Sequence, residues 1–301
     1  MKKIIALVLA FFTLSLSLGA CSGTEKKSTD KLKIVSAIFP AYDWVREILG
    51  EETKDVELSL LVKNGVDLHS FQPSAEDIVT ISDSDVFLYV GGESDGWVQD
   101  ALSASEKEDR IAIDLLEVLG DAADADEHVW LSLKNAEILC THIEEKLAAV
   151  RPEKAETYAA NLEAYMEKLQ SLDGKYQQTV EEAARDTLVF GDRFAFLYMF
   201  DDYGIACDAA FTGCSAEAEV SFDTVISLAQ KIDALQLPYV LVSETSDQTL
   251  AQTIIQSTKE KNQKILVLDS MQSVTEEQID NGMTYYSVME NNLNVLGSAL
   301  Q

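Results

Sequence analysis

The sequence predicts an α/β fold of two parallel-sheet lobes joined by one long, rigid helix. Three observations carry this. Short β-branched or apolar runs alternate with longer helical patterns in the first half of the chain, the same alternation returns in the second half, and a much longer helical pattern separates the two. Strands alternating with helices of this length form parallel sheets, because a parallel pair needs a crossover of a dozen or more residues. The 301 residues accommodate about two domains of ~150 residues each.

Taken in order, Met1-Lys2-Lys3 is a short basic start, followed by an apolar run over residues 4–18 of the length found in secretory leaders. Residues 1–20 therefore read as a signal peptide. The run closes on Leu18-Gly19-Ala20-Cys21, which resembles the lipobox of bacterial lipoproteins. That resemblance implies lipidation of Cys21 as the new N-terminus, anchoring the chain on the outer face of the cytoplasmic membrane. Residues 21–31 then form a polar tether. The first lobe, 32–150, has expected strands at 33–38, 56–62, 85–90 and 111–114, with helices at 41–49, 73–82 and 95–103. The linking helix occupies 151–184. Its pattern runs from Pro152, a residue suited to a first helical turn, to about Glu182, with Ala155, Tyr158, Ala159, Leu162, Tyr165, Met166, Leu169, Leu172 and Tyr176 at steps of three and four. About 30 residues at ~1.5 Å rise make a rod of ~45 Å. The second lobe, 185–301, has expected strands at 187–191, 205–210, 239–242 and 264–268, and helices at 194–203, 222–235, 248–260 and 284–299. The acidic run 121–127 (DAADADE) reads as a solvated loop.

Composition narrows the function. Lys and Arg number 23 against 52 Asp and Glu, a net charge of −29 that deepens by two when Lys2 and Lys3 leave with the leader. A nucleic-acid surface needs clustered cations, so that class of partner is excluded. Four cysteines are too few for a disulfide scaffold; Cys207 and Cys214 could pair or remain thiols, and Cys140 reads as core. Beyond the leader, no apolar run is long enough to span a bilayer. The phosphate-cradling G-x-x-x-x-G-K-[ST] and the zinc-protease H-E-x-x-H are both missing.

Three histidines remain informative. His69, in GVDLHSFQPS, and His128, in EHVWLSLKNA, each follow an expected strand and enter a helix, the position where open α/β sheets bind ligands. Imidazole is the commonest neutral metal ligand near neutral pH. His142 falls inside an expected helix and reads as an ordinary helix residue.

Five segments in order, GVDLHSFQPS, EHVWLSLKNA, YGI, GCSAEAEVSF and LDSMQSVTEEQIDNGMTYYSVMENNL, resemble the metal-binding lipoproteins of bacterial zinc and manganese ABC importers, the cluster A-I solute-binding proteins. The similarity extends over most of the chain beyond the leader. It implies two α/β lobes joined by one long helix, a single metal between them, no enzymatic activity, a monomer, and an ABC permease as partner. The expected cargo is zinc, with manganese as the alternative.

Residue by residue, the resemblance assigns metal ligands to His69, His128 and Asp269. Leu68 stands where the family usually has Pro. The family's remaining ligand, a His or Glu ten residues before the Tyr of its Tyr-Gly pair, falls on Arg193, which stays protonated and cannot ligate. Another group must serve. Glu217 is the candidate ligand, with Arg193, Asp192 and Glu219 expected to hold it and balance charge. Three other readings remain: a secreted metallohydrolase that presses Arg193 and Glu217 into catalysis, a metal-dependent surface adhesin, and a receptor for an anionic metal chelate facing Arg193.

Overall fold

The computed structural model describes residues 31–105, 107, 109–123, 126–211 and 220–301. Cys21, Cys214, Glu217 and Glu219 lie outside the described residues. In chain order the elements are β1 (Leu32–Ser36), α1 (Phe39–Leu49), β2 (Val56–Leu60), α2 (Ala75–Asp83), β3 (Val86–Tyr89), α3 (Val98–Ser103), β4 (Ile111–Asp114), α4 (Leu115–Leu119), α5 (Leu133–Val150), α6 (Ala155–Glu181), β5 (Thr187–Phe190), α7 (Leu197–Tyr203), β6 (Ala206–Ala209), α8 (Phe222–Leu235), β7 (Tyr239–Ser243), α9 (Thr249–Ser257), β8 (Lys264–Leu268), α10 (Glu276–Asp280) and α11 (Tyr285–Ala299).

The strands build two four-stranded sheets, ordered β2-β1-β3-β4 and β6-β5-β7-β8. Every pairing is parallel. This is the two-lobed α/β architecture expected from the alternation. β3 is buried along its whole length as Val-Phe-Leu-Tyr, the unbroken apolar run of a strand covered on both faces. Each sheet winds outward in both directions from its first strand, so the carboxyl ends of the strands open onto a crevice.

The linking helix α6 is continuous through Asp173-Gly174 and spans 27 residues, or about 40 Å at ~1.5 Å per residue. Its buried residues are Tyr158, Tyr165, Leu169, Leu172 and Tyr176, a single stripe at steps of seven, four, three and four. Asn161 Nδ2 donates to Ile48 O at the end of α1 (2.9 Å), and Tyr176 OH donates to Met289 O in α11 (2.6 Å). Tyr203 OH of α7 donates to Asp173 Oδ1 (2.8 Å). One apolar core runs without interruption from the first sheet, along this stripe, to α7 and α11; a smaller one lies between the second sheet and α8 and α9.

Hydrogen bonds also cross directly between the lobes. Gly65 N donates to Val274 O and Leu68 N to Gln272 O, both at 3.2 Å. Trp130 Nε1 donates to Ser270 O (2.8 Å), Tyr285 OH to Trp130 O (2.7 Å), and Ser132 Oγ to Asp202 Oδ2 (2.6 Å). The buried Asp43 of α1 accepts from Tyr285 N, the first amide of α11, at 2.7 Å. None of the described helices is long and apolar enough to cross a membrane.

Candidate metal centre

The crevice begins with His69. Past β2 the chain makes a short 3-10 turn, Leu68–Ser70, whose entry is fixed by Asp67 accepting from His69 N at 2.9 Å. Leu68 is buried, and its N–H is spent on Gln272 O in the second lobe. A proline at this position could not make that bond, which gives the leucine a physical role here.

His128 enters from the other side, at the start of the 3-10 turn Val129–Leu131 that leads into α5. It is 1% exposed. Asp126 Oδ1 accepts from both its backbone N (2.8 Å) and its Nδ1 (2.5 Å), and the ring packs edge-on against Trp130 at a centroid distance of 5.2 Å. Asp126 is in turn gripped from the second lobe: Tyr198 OH donates to Asp126 O (2.8 Å) and accepts from Asp126 N (3.1 Å). The two imidazoles converge, with His69 Nε2 and His128 Nε2 3.2 Å apart.

Glu127 was expected to belong to a solvated acidic loop, and so was Asp126; the structure corrects both. Glu127 Oε1 lies 3.1 Å from His69 Nδ1, and its carboxylate accepts from Ser94 Oγ (2.9 Å) and Ser94 N (3.2 Å). Burial alone would raise this acid, but the hydrogen bonds from His69 and Ser94 outweigh it and hold Glu127 down at about 2. Ser94 Oγ also touches His69 Nδ1 at 2.8 Å. Ser94 falls in the G-x-S-x-G string Gly92-Glu93-Ser94-Asp95-Gly96, on the short 3-10 turn Glu93–Asp95, and is 33 positions from Glu127 in sequence.

Asp269 ends β8. Its backbone N donates to Asn292 Oδ1 (2.9 Å), and its Oδ1 accepts from Met271 N (2.8 Å). The segment after it is the one bonded to both histidine loops, through Ser270 O to Trp130 and Gln272 O to Leu68. Sequence reading missed Glu244, just beyond β7. Its carboxylate accepts from Ser270 N (2.8 Å), Ser270 Oγ (2.8 Å) and Gln272 N (3.3 Å), so it fixes the turn that carries Asp269. Burial, then the neighbouring Asp269 carboxylate, pushes Glu244 above its ordinary value, and burial pushes Asp269 the same way. An acid at the carboxyl end of a strand, as Asp269 is, was the signal available for finding it.

Arg193 follows β5 on the same rim. Its backbone N donates to Asp192 Oδ1 (2.8 Å), and Asp192 Oδ2 accepts from Ser243 Oγ (3.4 Å) beside Glu244. Asp192 is thus tied into the turn region of β7, while Glu217 and Glu219 fall outside the described residues. Among the described residues, no three His, Cys, Asp or Glu side chains stand together as a complete ligand set. What converges is the imidazole pair, with Glu127 on the Nδ1 side of His69 and Asp126 on that of His128; Asp192, Glu244 and Asp269 lie just past the carboxyl ends of β5, β7 and β8. Such a site suits a small, borderline-soft cation.

Comparison with known proteins decides the family. The family described as zinc-uptake complex component A, periplasmic, matches residues 34–299. The chain belongs to this family. A zinc-binding lipoprotein, AdcA, of Streptococcus pneumoniae is 35% identical over 314 aligned residues, covering 98% of this chain and 60% of that protein. The chain thus spans about three-fifths of that relative's length. The structure of the Zn(II)-bound ZnuA-like domain of the same protein aligns with a TM-score of 0.74 at 32% identity, over 90% of this chain and 99% of that domain. A manganese ABC transporter substrate-binding lipoprotein, PsaA, of S. pneumoniae is 29% identical over 100% of this chain and 99% of its own length.

Proposed function

We propose that the protein is the extracytoplasmic receptor of a zinc ABC importer, held at the membrane through lipid on Cys21, and that it hands its ion to a permease without breaking any bond. The observation that carries this is the 3.2 Å separation of His69 Nε2 and His128 Nε2. Two imidazoles bound to one tetrahedral zinc at ~2.05 Å stand about 3.3 Å apart, so the pair already has the spacing of neighbouring ligands. Asp269 is the third ligand in this reading, carried on a turn that hydrogen-bonds to both histidine loops. Glu217 is the fourth. Arg193 stands where the family's usual ligand would be and pairs Glu217 bidentately, with Asp192 and Glu219 offsetting its charge. The net charge of −29 draws cations toward the crevice. Family membership and the zinc-binding relatives favour transport over catalysis.

Manganese is the second reading. It is favoured by the similarity to the manganese receptor over its full length and by the carboxylate at Asp269, since oxygen ligands suit the harder ion.

Competition titration against a chromophoric chelator, with zinc and manganese in separate arms, tests both. One ion per chain is expected, tighter for zinc, and lost from His69→Ala/His128→Ala. Arg193→Ala should weaken zinc binding about tenfold by releasing the acid it holds. Unchanged stoichiometry and affinity in the double variant would refute the receptor reading. Tighter binding after Arg193→Ala would mean that the guanidinium merely repels the ion.

A further inference from the structure

We infer that Glu127 is a positioning residue which, through Ser94 and a cradle at Gly92, keeps the His69 proton on Nδ1 and so presents the Nε2 lone pair to the ion. The inference rests on the receptor reading for its consequence, but its geometry stands apart from it.

Three groups form a closed triangle: His69 Nδ1 to Ser94 Oγ (2.8 Å), Ser94 Oγ to Glu127 Oε1 (2.9 Å), and Glu127 Oε1 to His69 Nδ1 (3.1 Å). An ionised carboxylate only accepts, so the single hydroxyl proton of Ser94 goes to Glu127. Ser94 Oγ then meets the imidazole with a lone pair, and so does Glu127. Both neighbours demand a proton on Nδ1. Without the carboxylate the hydroxyl can turn and donate to Nδ1, which drives the imidazole proton to Nε2. There it would point at His128 Nε2, 3.2 Å away, and tie the two rings together where an ion would otherwise sit.

The space for Glu127 is built into the backbone. A Cβ on Gly92 would fall on Glu127 Oε2 and within 2.7 Å of Glu127 Cβ. Gly92 has φ −85°, so its backbone conformation suits any residue, and the side chain of Glu127 is what alanine would meet there. His128 is served separately by Asp126, so adjacent acids in the chain set the two rings independently. Carboxylate–imidazole pairs of this kind fix the tautomer and raise ligand basicity.

The test is ¹⁵N NMR of the histidine rings in chelator-treated protein near pH 8, paired with zinc titration. In the wild type both His69 and His128 should carry the proton on Nδ1. Glu127→Ala should move the His69 proton to Nε2, leave His128 unchanged, and weaken zinc binding about 10–100-fold. Ser94→Ala leaves Glu127 facing Nδ1 and should keep the tautomer with a loss of less than about tenfold. Gly92→Ala, which retains the carboxylate but displaces it, should shift His69 as Glu127→Ala does; it carries the test if Glu127→Ala does not fold. An unmoved His69 proton in the folded Glu127 or Gly92 variant overturns the inference. A wild type that shows the tautomer response yet binds no zinc sinks the receptor reading and leaves this one standing.

Discussion

Asp43→Asn should remove a pH-dependent strain on the seam between the lobes. Asp43 is 1% exposed and accepts from the first amide of α11, with Arg46 3.4 Å from its other oxygen. Burial pushes its carboxyl up to about 6 from an ordinary 3.8, and the Tyr285 amide and Arg46 recover only part of that cost. Because the folded value lies above the unfolded one, the native state holds the proton more tightly. The associated stability is fully present below about pH 3.8 and is lost as pH rises through about 6. The rise from 3.8 to about 6, at ~1.36 kcal/mol per pH unit, amounts to about 3 kcal/mol. Asparagine keeps an acceptor for Tyr285 N and does not titrate. The stability of Asp43→Asn relative to wild type should therefore rise by ~2–3 kcal/mol between about pH 4 and pH 7.5, whatever constant offset the amide introduces. Urea unfolding followed by tryptophan fluorescence, in chelator so that bound metal adds nothing, measures this difference while other titrating groups cancel. A difference that stays flat within ~0.5 kcal/mol over that range would show that Asp43 ionises in place without penalty. A difference of opposite sign would make its charge a net stabiliser of the α11 terminus.

Two further outcomes follow from the anchor and the seam. Cys21→Ser should abolish lipid attachment and release or mis-process the protein; recovery in the membrane fraction with unchanged mobility refutes the anchor. Hydrogen bonds cross between the lobes at several places besides the linking helix, so metal removal should move the loops around His128 and Asp269 rather than rotate a lobe. Solution scattering should give a radius of gyration near ~18 Å for the roughly 270-residue body with and without zinc, and an increase above ~1 Å on metal removal refutes the rigid seam.

Periodicity made the sheets legible because apolar runs bounded by polar turns leave little choice of register; Ile111–Asp114 and Lys264–Leu268 coincide with expectation at both ends. The elements it missed are one-turn helices. α4 and α10 span five residues each, too short for a hydrophobic stripe, and are set by their caps: Asp114 accepts from Glu117 N, while Thr275 and Gln278 form a capping box that was readable as Thr-x-x-Gln. His69 and His128 stood out because histidines are few and both follow strands. Glu127, Asp126 and Ser94 did not, because an acidic run looks solvated until tertiary structure folds it over an imidazole. Glu244 was hidden for the same reason, since its partners Ser270 and Gln272 lie on the following strand's turn, more than 25 positions away.

The tyrosine-lined stripe of α6 has a consequence for anyone who would cut this protein apart. Tyr158 and Tyr165 are sealed against the first lobe's helices, while Tyr176 stacks on Tyr203 and bonds to α11, so the same rod is core to both halves. Truncation on either side of it would strip large aromatic rings of their cover and expose them to water. Half-chains should therefore behave as sticky fragments rather than modules, and a split reporter or fusion would have to be placed at loops on the outer rim. Unfolding should begin nowhere in particular and finish everywhere at once, as one cooperative melt instead of two.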